Sequence, residues 1–323
     1  MKFLVTGGAG FIGSNLVSEL LMRSHQVRVL DNFSTGKREN LLPFKNDIEL
    51  IEGDIRSYHI VEKAVRGVEV ILHQAALPSV PRSIADPITT NEVNVMGTLN
   101  VLESARNAGT RRLVFASSSS VYGDNPVLPK NESMTPNPLS PYAVSKLAGE
   151  KYCSVFSRIY GLETVALRYF NVFGPNQDPT SQYSAVIPKF IRAIMNDTRP
   201  VIFGDGEQSR DFTYVKNVVE ANLAAATAEV EKGIALNCAC HEQITLNRLT
   251  EEINRYLKKN IEPVYEKPRA GDIKHSYADI SLINEKLGFT PSVKFAEGLE
   301  LTIRSYLSRT EKSASRELVP EEL

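Results

Sequence analysis

The chain has 323 residues, enough for two domains or one large one. Its 37 basic and 38 acidic side chains leave a net charge near zero, with no basic stripe for nucleic acid and no long single-sign block for a charged partner. The amino end opens on a strand pattern, Lys2-Phe3-Leu4-Val5, and not on a signal peptide; no apolar run is long enough to span a bilayer, so the sequence reads as a soluble, cytoplasmic protein.

Apolar runs alternate with helical periods through the first half. Segments 2–6, 26–30, 48–51, 68–72, 112–116 and 164–167 read as buried parallel strands, and 12–23, 57–66, 91–108 and 141–160 carry helical spacing. This alternation predicts an α/β fold, a Rossmann-type doubly wound parallel sheet with helices on both faces. After Arg168 the pattern changes: Gly174-Pro175-Asn176-Gln177-Asp178-Pro179 is loop chemistry and Phe203-Gly204-Asp205-Gly206-Glu207 is a turn. Helices are expected at 184–195, 215–228 and 246–257. We assign 1–172 to the first domain and 173–309 to a smaller α/β domain that caps it and binds substrate, with 215–238 able to return to the main sheet. Residues 310–323 are charged, lack apolar periodicity and read as a disordered tail. Cys153, Cys238 and Cys240 are too few for a disulfide framework, and Cys238-Ala239-Cys240-His241 supplies too few ligands for a metal. Buried thiols are expected, and no metal.

Three motifs carry chemistry. Thr6-Gly7-Gly8-Ala9-Gly10-Phe11-Ile12-Gly13 lies between a predicted strand and a predicted helix, the context of a dinucleotide fingerprint. Gly7 allows the tight turn, Gly10 lets the backbone approach a pyrophosphate, and Gly13 lets helix and strand pack closely. The helix amino end at Phe11 and Ile12 holds the anion. Asp31 closes the second strand, where a carboxylate accepts the ribose hydroxyls and repels a 2′-phosphate, so NAD is favoured over NADP, with Arg38 the nearby cation that argues the other way. Asn32, Ser34 and Gly36 follow in the same loop. Asp54 and Ile55, after the third strand, fall near the adenine end, and the small residues of Gln74-Ala75-Ala76 permit close backbone approach to the cofactor.

The other two motifs are the serine run 117–120 and Ser140-Pro141-Tyr142-Ala143-Val144-Ser145-Lys146. Tyr142 and Lys146, four apart, share one helix face, so the ammonium can sit beneath the phenol oxygen. A free phenol has a pKa of about 10, and a base at neutral pH needs it roughly 3 pH units lower, worth about 4 kcal/mol. A neighbouring cation moves it in that direction. In this order the three motifs point to a nicotinamide enzyme of the short-chain dehydrogenase type.

With Leu167-Arg168-Tyr169-Phe170-Asn171-Val172-Phe173-Gly174, Gly204-Asp205-Gly206, Ser209-Arg210-Asp211-Phe212 and Arg269-Ala270-Gly271-Asp272, these segments resemble the extended short-chain dehydrogenase/reductase family, and within it the UDP-hexose 4-epimerases, over essentially 1–309. Leu77-Pro78-Ser79-Val80-Pro81-Arg82-Ser83 resembles the subgroup acting on N-acetylated UDP-hexoses. The resemblance implies roles by position. Ser118 bonds the sugar 4-hydroxyl with Ser119 as helper, Tyr142 is the general base, and Lys146 binds the nicotinamide ribose and depresses the tyrosine pKa. Asn94 and Tyr169 join the cofactor site. Asn171, Arg210 and Arg269 hold the UDP, and Val80, Arg82, Val186, Phe203 and Asp272 complete the substrate site. Ser276 takes the gate position beside carbon 2, where a small side chain leaves room for an N-acetyl group.

The implied reaction moves a hydride from carbon 4 to NAD and back to the other face of the sugar, so the cofactor stays bound. Dehydratases of the family carry Asp-Glu, and decarboxylases Glu, just before Val-Tyr-Gly; Ser119-Ser120-Val121-Tyr122-Gly123 has neither. The expected activity interconverts UDP-N-acetylglucosamine with UDP-N-acetylgalactosamine and UDP-glucose with UDP-galactose. Because Arg82 can reach a uronic-acid carboxylate, UDP-glucuronate or UDP-galacturonate epimerisation stays open, as does another nucleotide-sugar oxidoreductase or dehydratase reaction. A homodimer through helices 91–108 and 141–160 is also implied, with Leu99, Leu102, Tyr152 and Phe156 on its apolar face.

Overall fold

The computed structural model describes residues 1–178, 185–268 and 274–317, with side chains as far as Ser308. One sheet holds seven strands: β1 (Lys2–Thr6), β2 (Gln26–Asp31), β3 (Ile48–Glu52), β4 (Val70–His73), β5 (Arg112–Ser118), β6 (Glu163–Tyr169) and β7 (Ile234–Cys238). Their spatial order is β3-β2-β1-β4-β5-β6-β7, and every neighbouring pair runs parallel. The main helices are α1 (Phe11–Met22), α2 (Tyr58–Val65), α3 (Gly97–Asn107), α4 (Pro141–Tyr160), α5 (Val186–Met195), α6 (Val215–Thr227), α7 (Leu246–Leu257) and α8 (Phe295–Glu317).

Both faces of the sheet are covered, which is why the strands read as continuous apolar runs. On one face Val5, Val29 and Val114 pack against Leu16 of α1 and Val218 of α6; on the other Leu4, Ile71 and Phe115 pack against Val61, Leu102 and Cys153 of α2, α3 and α4. The winding direction reverses between β1 and β4, so a crevice opens at the carboxyl ends of these two strands. Thr6 and His73 are register partners at its floor.

Helix α4 begins where Ser140 accepts from the Ala143 N–H at 3.2 Å ahead of Pro141, and it stops at Gly161, whose φ is +74°. The helix expected over 91–108 is interrupted. A short helix, Pro87–Asn91, leads into a π-helical turn, Glu92–Met96, before α3 begins. That turn hides from a 3.6-residue period because it inserts an extra residue into it.

A second lobe packs α5, α7 and α8 around Phe173, Phe190, Leu249 and Phe295. Its strands are only two or three residues long: Val172–Phe173 pairs with Thr213–Tyr214, Val201–Phe203 with Val264–Glu266, and Ser209–Arg210 lies between Ile244–Thr245 and His275–Ser276. Through α6 and β7 the chain returns to the large sheet, β7 pairing with β6. Backbone helix runs on to Glu317, into the stretch expected to be a disordered tail. Leu299, Ile303 and Tyr306 anchor α8 in the core, and a helix already nucleated propagates through polar residues at little cost. Among the described residues no helix is long and apolar enough to cross a membrane.

Candidate active site

A cavity of about 960 Å³ follows the carboxyl ends of the strands. Its floor at β1 has no room for side chains. A Cβ on Gly7, whose φ is +69°, would lie 2.8 Å from the backbone of Ala75, and one on Gly13 would lie 2.1 Å from the Gly7 carbonyl oxygen. Gly10 starts α1 without a side-chain cap, so the first-turn N–H groups are left for an anion or water.

At the far wall Asp31 accepts from the Ala9 N–H at 2.9 Å through Oδ2 and from the Phe33 N–H at 2.8 Å through Oδ1. Burial pushes its carboxyl pKa up, against the pull of those two backbone bonds. Arg38 is engaged by Glu52 at 2.6 Å and lies over the Phe33 ring, 3.9 Å from its centroid. Lys37 is engaged by Asp178 at 2.9 Å. Asp54 accepts from Asn32 Nδ2 at 2.8 Å, and its pKa is lowered chiefly by the Arg56 side chain bonded to it. A glycine cradle, a carboxylate at the end of β2 and cations already paired fit a dinucleotide without a 2′-phosphate.

Strand β5 and helix α4 meet at the other end of the cavity. Lys146 Nζ donates to the Ala116 carbonyl oxygen at 2.9 Å and stands 5.9 Å from the centre of the Tyr142 ring. Burial lowers the Lys146 pKa to about 8. The Ser118 hydroxyl lies close enough to the Tyr142 phenol to affect its ionisation. Burial pushes that phenol up, and Ser118 is the group that opposes the rise. Lys146, bonded to Ala116, is not among the groups that set the direction of this shift, so the depression expected from it is not seen in this geometry. His73, bonded to Thr6 Oγ1 at 2.7 Å and Thr98 Oγ1 at 3.0 Å, is held neutral, with burial lowering its pKa to about 3.

Of the cofactor residues read from sequence, Gly7, Gly10, Phe11, Ile12, Gly13, Asp31, Asn32, Ser34, Gly36, Asp54, Ile55, Gln74, Ala75, Ala76, Tyr142, Lys146 and Tyr169 all line the cavity. Asn94 does not. From the π-helical turn its Oδ1 accepts from Leu77 N–H at 2.7 Å, while its Nδ2 donates to the Leu77 carbonyl at 3.2 Å and to Ser145 Oγ at 3.0 Å. It ties the loop after β4 to α4 from behind. Tyr169 and Gln74 share a bond of 3.1 Å, with Asn222 beside them.

Among the substrate candidates that fall on described residues, only Arg82 belongs to the cavity lining. Ser118 follows the lining residue Ser117, and Ser119 opens the next turn, Ser119–Tyr122. Val80 begins a short helix, Val80–Ala85, and is exposed. Asn171, Val186, Phe203, Arg210 and Ser276 stand outside the lining. Arg210 and Ser276 are register partners, and Asn171 Nδ2 donates to the Asp211 carbonyl at 3.3 Å. Arg269 and Asp272 lie outside the described residues. Sequence reasoning missed Lys37, Asn176, Gln177 and Asp178, which also line the cavity. For Asn176, Gln177 and Asp178 the one signal was the loop chemistry after Phe173, and Lys37 directly follows the loop residue Gly36. Cys153, Cys238 and Cys240 are buried free thiols, and no group of three or more His, Cys, Asp or Glu among the described residues can hold a metal ion.

Residues 3–239 match the NAD dependent epimerase/dehydratase family. Over 302 residues the chain is 40% identical to a putative UDP-glucose 4-epimerase of Methanocaldococcus jannaschii, a match covering 93% of this chain and 96% of that one. A UDP-N-acetylglucosamine 4-epimerase from Methanobrevibacter ruminantium, solved in complex with UDP-N-acetylmuramic acid, is similar with a TM-score of 0.91 and 44% identity, over 95% of this chain and 98% of that one. A UDP-glucose 4-epimerase of Thermus thermophilus, solved in complex with NAD, gives a TM-score of 0.87 and 38% identity over 95% and 99% of the two chains. This chain belongs to the NAD dependent epimerase/dehydratase family. It is an isomerase of the UDP-sugar 4-epimerase group, and NAD is its cofactor.

Proposed function

We propose that the protein interconverts UDP-N-acetylglucosamine and UDP-N-acetylgalactosamine, and also UDP-glucose and UDP-galactose, by inversion at carbon 4. The observation that carries this reading is Tyr142 at the end of the dinucleotide cavity, with Ser118 close enough to affect its ionisation and Lys146 on the same helix face. NAD, when bound, supplies the acceptor and donor of hydride at carbon 4, with no net redox change. Tyr142 takes the 4-hydroxyl proton and later returns it, and Ser118 orients that hydroxyl. Lys146 holds the ribose, and its ammonium favours the phenolate against the cost of burial. Between Ser118 and Gly123 there is no carboxylate to drive loss of water or of carbon dioxide.

In this reading Arg210 and Arg269 of the lobe formed by 173–309, with Asn171 just before it, anchor the UDP, and Val80, Val186, Phe203 and Asp272 surround the nucleotide and sugar. Anchoring far from carbon 4 leaves the sugar free to present either face. Ser276, small and beside Arg210 in register, is the gate that admits the N-acetyl group. A second reading has its own observation. The Arg82 guanidinium lines the cavity and forms no hydrogen bond or ion pair within the described residues, and the Methanobrevibacter relative was solved with an acidic N-acetyl sugar nucleotide. An acid-bearing UDP-sugar is the alternative substrate.

The active form in this reading is a cytoplasmic homodimer. Leu102 and Phe156, expected on the dimer face, are buried in the sheet core, and Leu99 and Tyr152 pack against it. Val144, Val155 and Ile159 instead leave an exposed apolar stripe on α4, which packs beside the helices carrying Ile84 and Ile88. Sedimentation at micromolar concentration should give the dimer, and a monomer there contradicts it. For the activity, the protein is incubated separately with UDP-N-acetylglucosamine, UDP-glucose and UDP-glucuronic acid, and products are followed by NMR. Formation of UDP-N-acetylgalactosamine as the fastest product supports the first reading. Turnover of the uronic acid alone supports the second.

A further inference from the structure

Behind the catalytic face lies a buried ion pair, Glu150 and Arg168, neither of which lines the cavity. Glu150 on α4 and Arg168 on β6 are each 5% exposed. Arg168 Nε donates to Glu150 Oε1 and Nη2 to Oε2, both at 2.9 Å, a two-pronged contact. Withdrawing two charges from water is expensive, and apolar side chains of the same volume are often at least as stabilising, so stability is a weak explanation for such a pair. Its connections offer a better one.

Glu150 sits one turn beyond Lys146 and two beyond Tyr142 on the inward face of α4. Its Oε1 also accepts from Ser117 Oγ at 2.5 Å. Ser117 stands on β5 between Ala116, which accepts from Lys146, and Ser118, which meets Tyr142. Arg168 extends the chain of bonds the other way. Its Nη1 donates to the Tyr122 phenol oxygen at 2.9 Å, and that phenol donates to Asn237 Oδ1 at 2.7 Å, at the end of β7. Tyr122 closes the turn that begins directly after Ser118. Ser117 just before Ser118, Tyr122 at the end of the turn after it, and the helix bearing Tyr142 and Lys146 are therefore all tied to one buried pair.

We propose that the Glu150–Arg168 pair is a positioning device for the epimerisation, holding Ser118 on β5 in register with Tyr142 and Lys146 on α4. The inference rests on the reading that these three residues carry the proton chemistry. Misplacement of a reacting group by about 1 Å costs roughly 100-fold in rate, so a clamp outside the cavity lining can still govern turnover.

The test replaces both charges with an apolar pair, Glu150→Met with Arg168→Met, in the NAD-loaded enzyme. The expected result is a folded protein with NAD content and KM for the UDP-sugar within about threefold of wild type, and kcat lower by about 30-fold. A folded double variant with kcat within about twofold of wild type overturns the proposal. If the double variant does not fold, Ser117→Ala and Tyr122→Phe decide, since each cuts one tie from the pair. Each should lower kcat by about 3- to 10-fold at unchanged KM, and wild-type kcat in both overturns the proposal. A wild-type enzyme that turns over no UDP-sugar overturns the functional reading and this inference with it.

Discussion

Lys146 crosses from α4 to donate its ammonium to the Ala116 carbonyl oxygen at 2.9 Å, so the cation is fixed to β5 two residues before Ser118. Removing the charge should therefore disturb chemistry more than folding. Lys146→Met keeps the stem and loses the ammonium; turnover should fall by about 10²–10³-fold with UDP-sugar binding retained by calorimetry. Lys146 is charged below its pKa of about 8 and neutral above it. The rate should accordingly decline as pH rises through about 8, and a profile flat to a pH of about 10 argues that the charge is not needed.

His73 makes stability depend on pH. Its folded pKa of about 3 lies below its ordinary value of 6.5, so between those values the unfolded chain binds the extra proton. Its contribution is fully present above 6.5 and is lost as pH falls toward 3. Between a pH of about 6.5 and about 5 this one group should remove about 2 kcal/mol, measured by urea denaturation. His73→Gln should flatten that part of the curve. An unchanged slope shows that other groups set it.

Asp31 bears on cofactor choice. Denatured wild-type protein should release NAD, identified by chromatography. Asp31→Ala removes the carboxylate and both of its backbone bonds, and the preference for NAD over NADP should narrow by about tenfold or more. Recovery of mainly NADP from the wild-type protein runs against the assignment.

The large sheet and its cofactor cradle were legible because burial on both faces writes itself as apolar runs, as in Val70–His73, and because close approach demands glycine at Gly7 and Gly13. Tyr142 and Lys146 were legible through their helical spacing taken together with the glycine motif and the serine run that precede them. The retreat of Asn94 from the cavity was not, because the π-helical turn that carries it has the same composition as a regular helix. Strands such as Ser209–Arg210 and Thr213–Tyr214 are too short to show a period. The Glu150–Arg168 tie and the Lys37–Asp178 pair join residues from distant segments, and no local pattern encodes them. Nor does spacing reveal that burial sets the direction of the Tyr142 shift.

In the proposed reading substrate breadth turns on Ser276, which is buried in the strand beside Arg210. Ser276→Tyr should abolish turnover of UDP-N-acetylglucosamine while sparing UDP-glucose, because the ring fills space beside carbon 2. Equal loss on both substrates marks the residue as structural, and loss on neither places the gate elsewhere.

The central claim, that Tyr142 is the proton acceptor of a UDP-sugar 4-epimerase, is tested most directly by turnover of Tyr142→Phe followed by NMR. The variant keeps the ring and removes only the hydroxyl. We expect the rate to fall by about 10²–10⁴-fold while the UDP-sugar and NAD remain bound. A variant that keeps more than about a tenth of the wild-type rate contradicts the assignment.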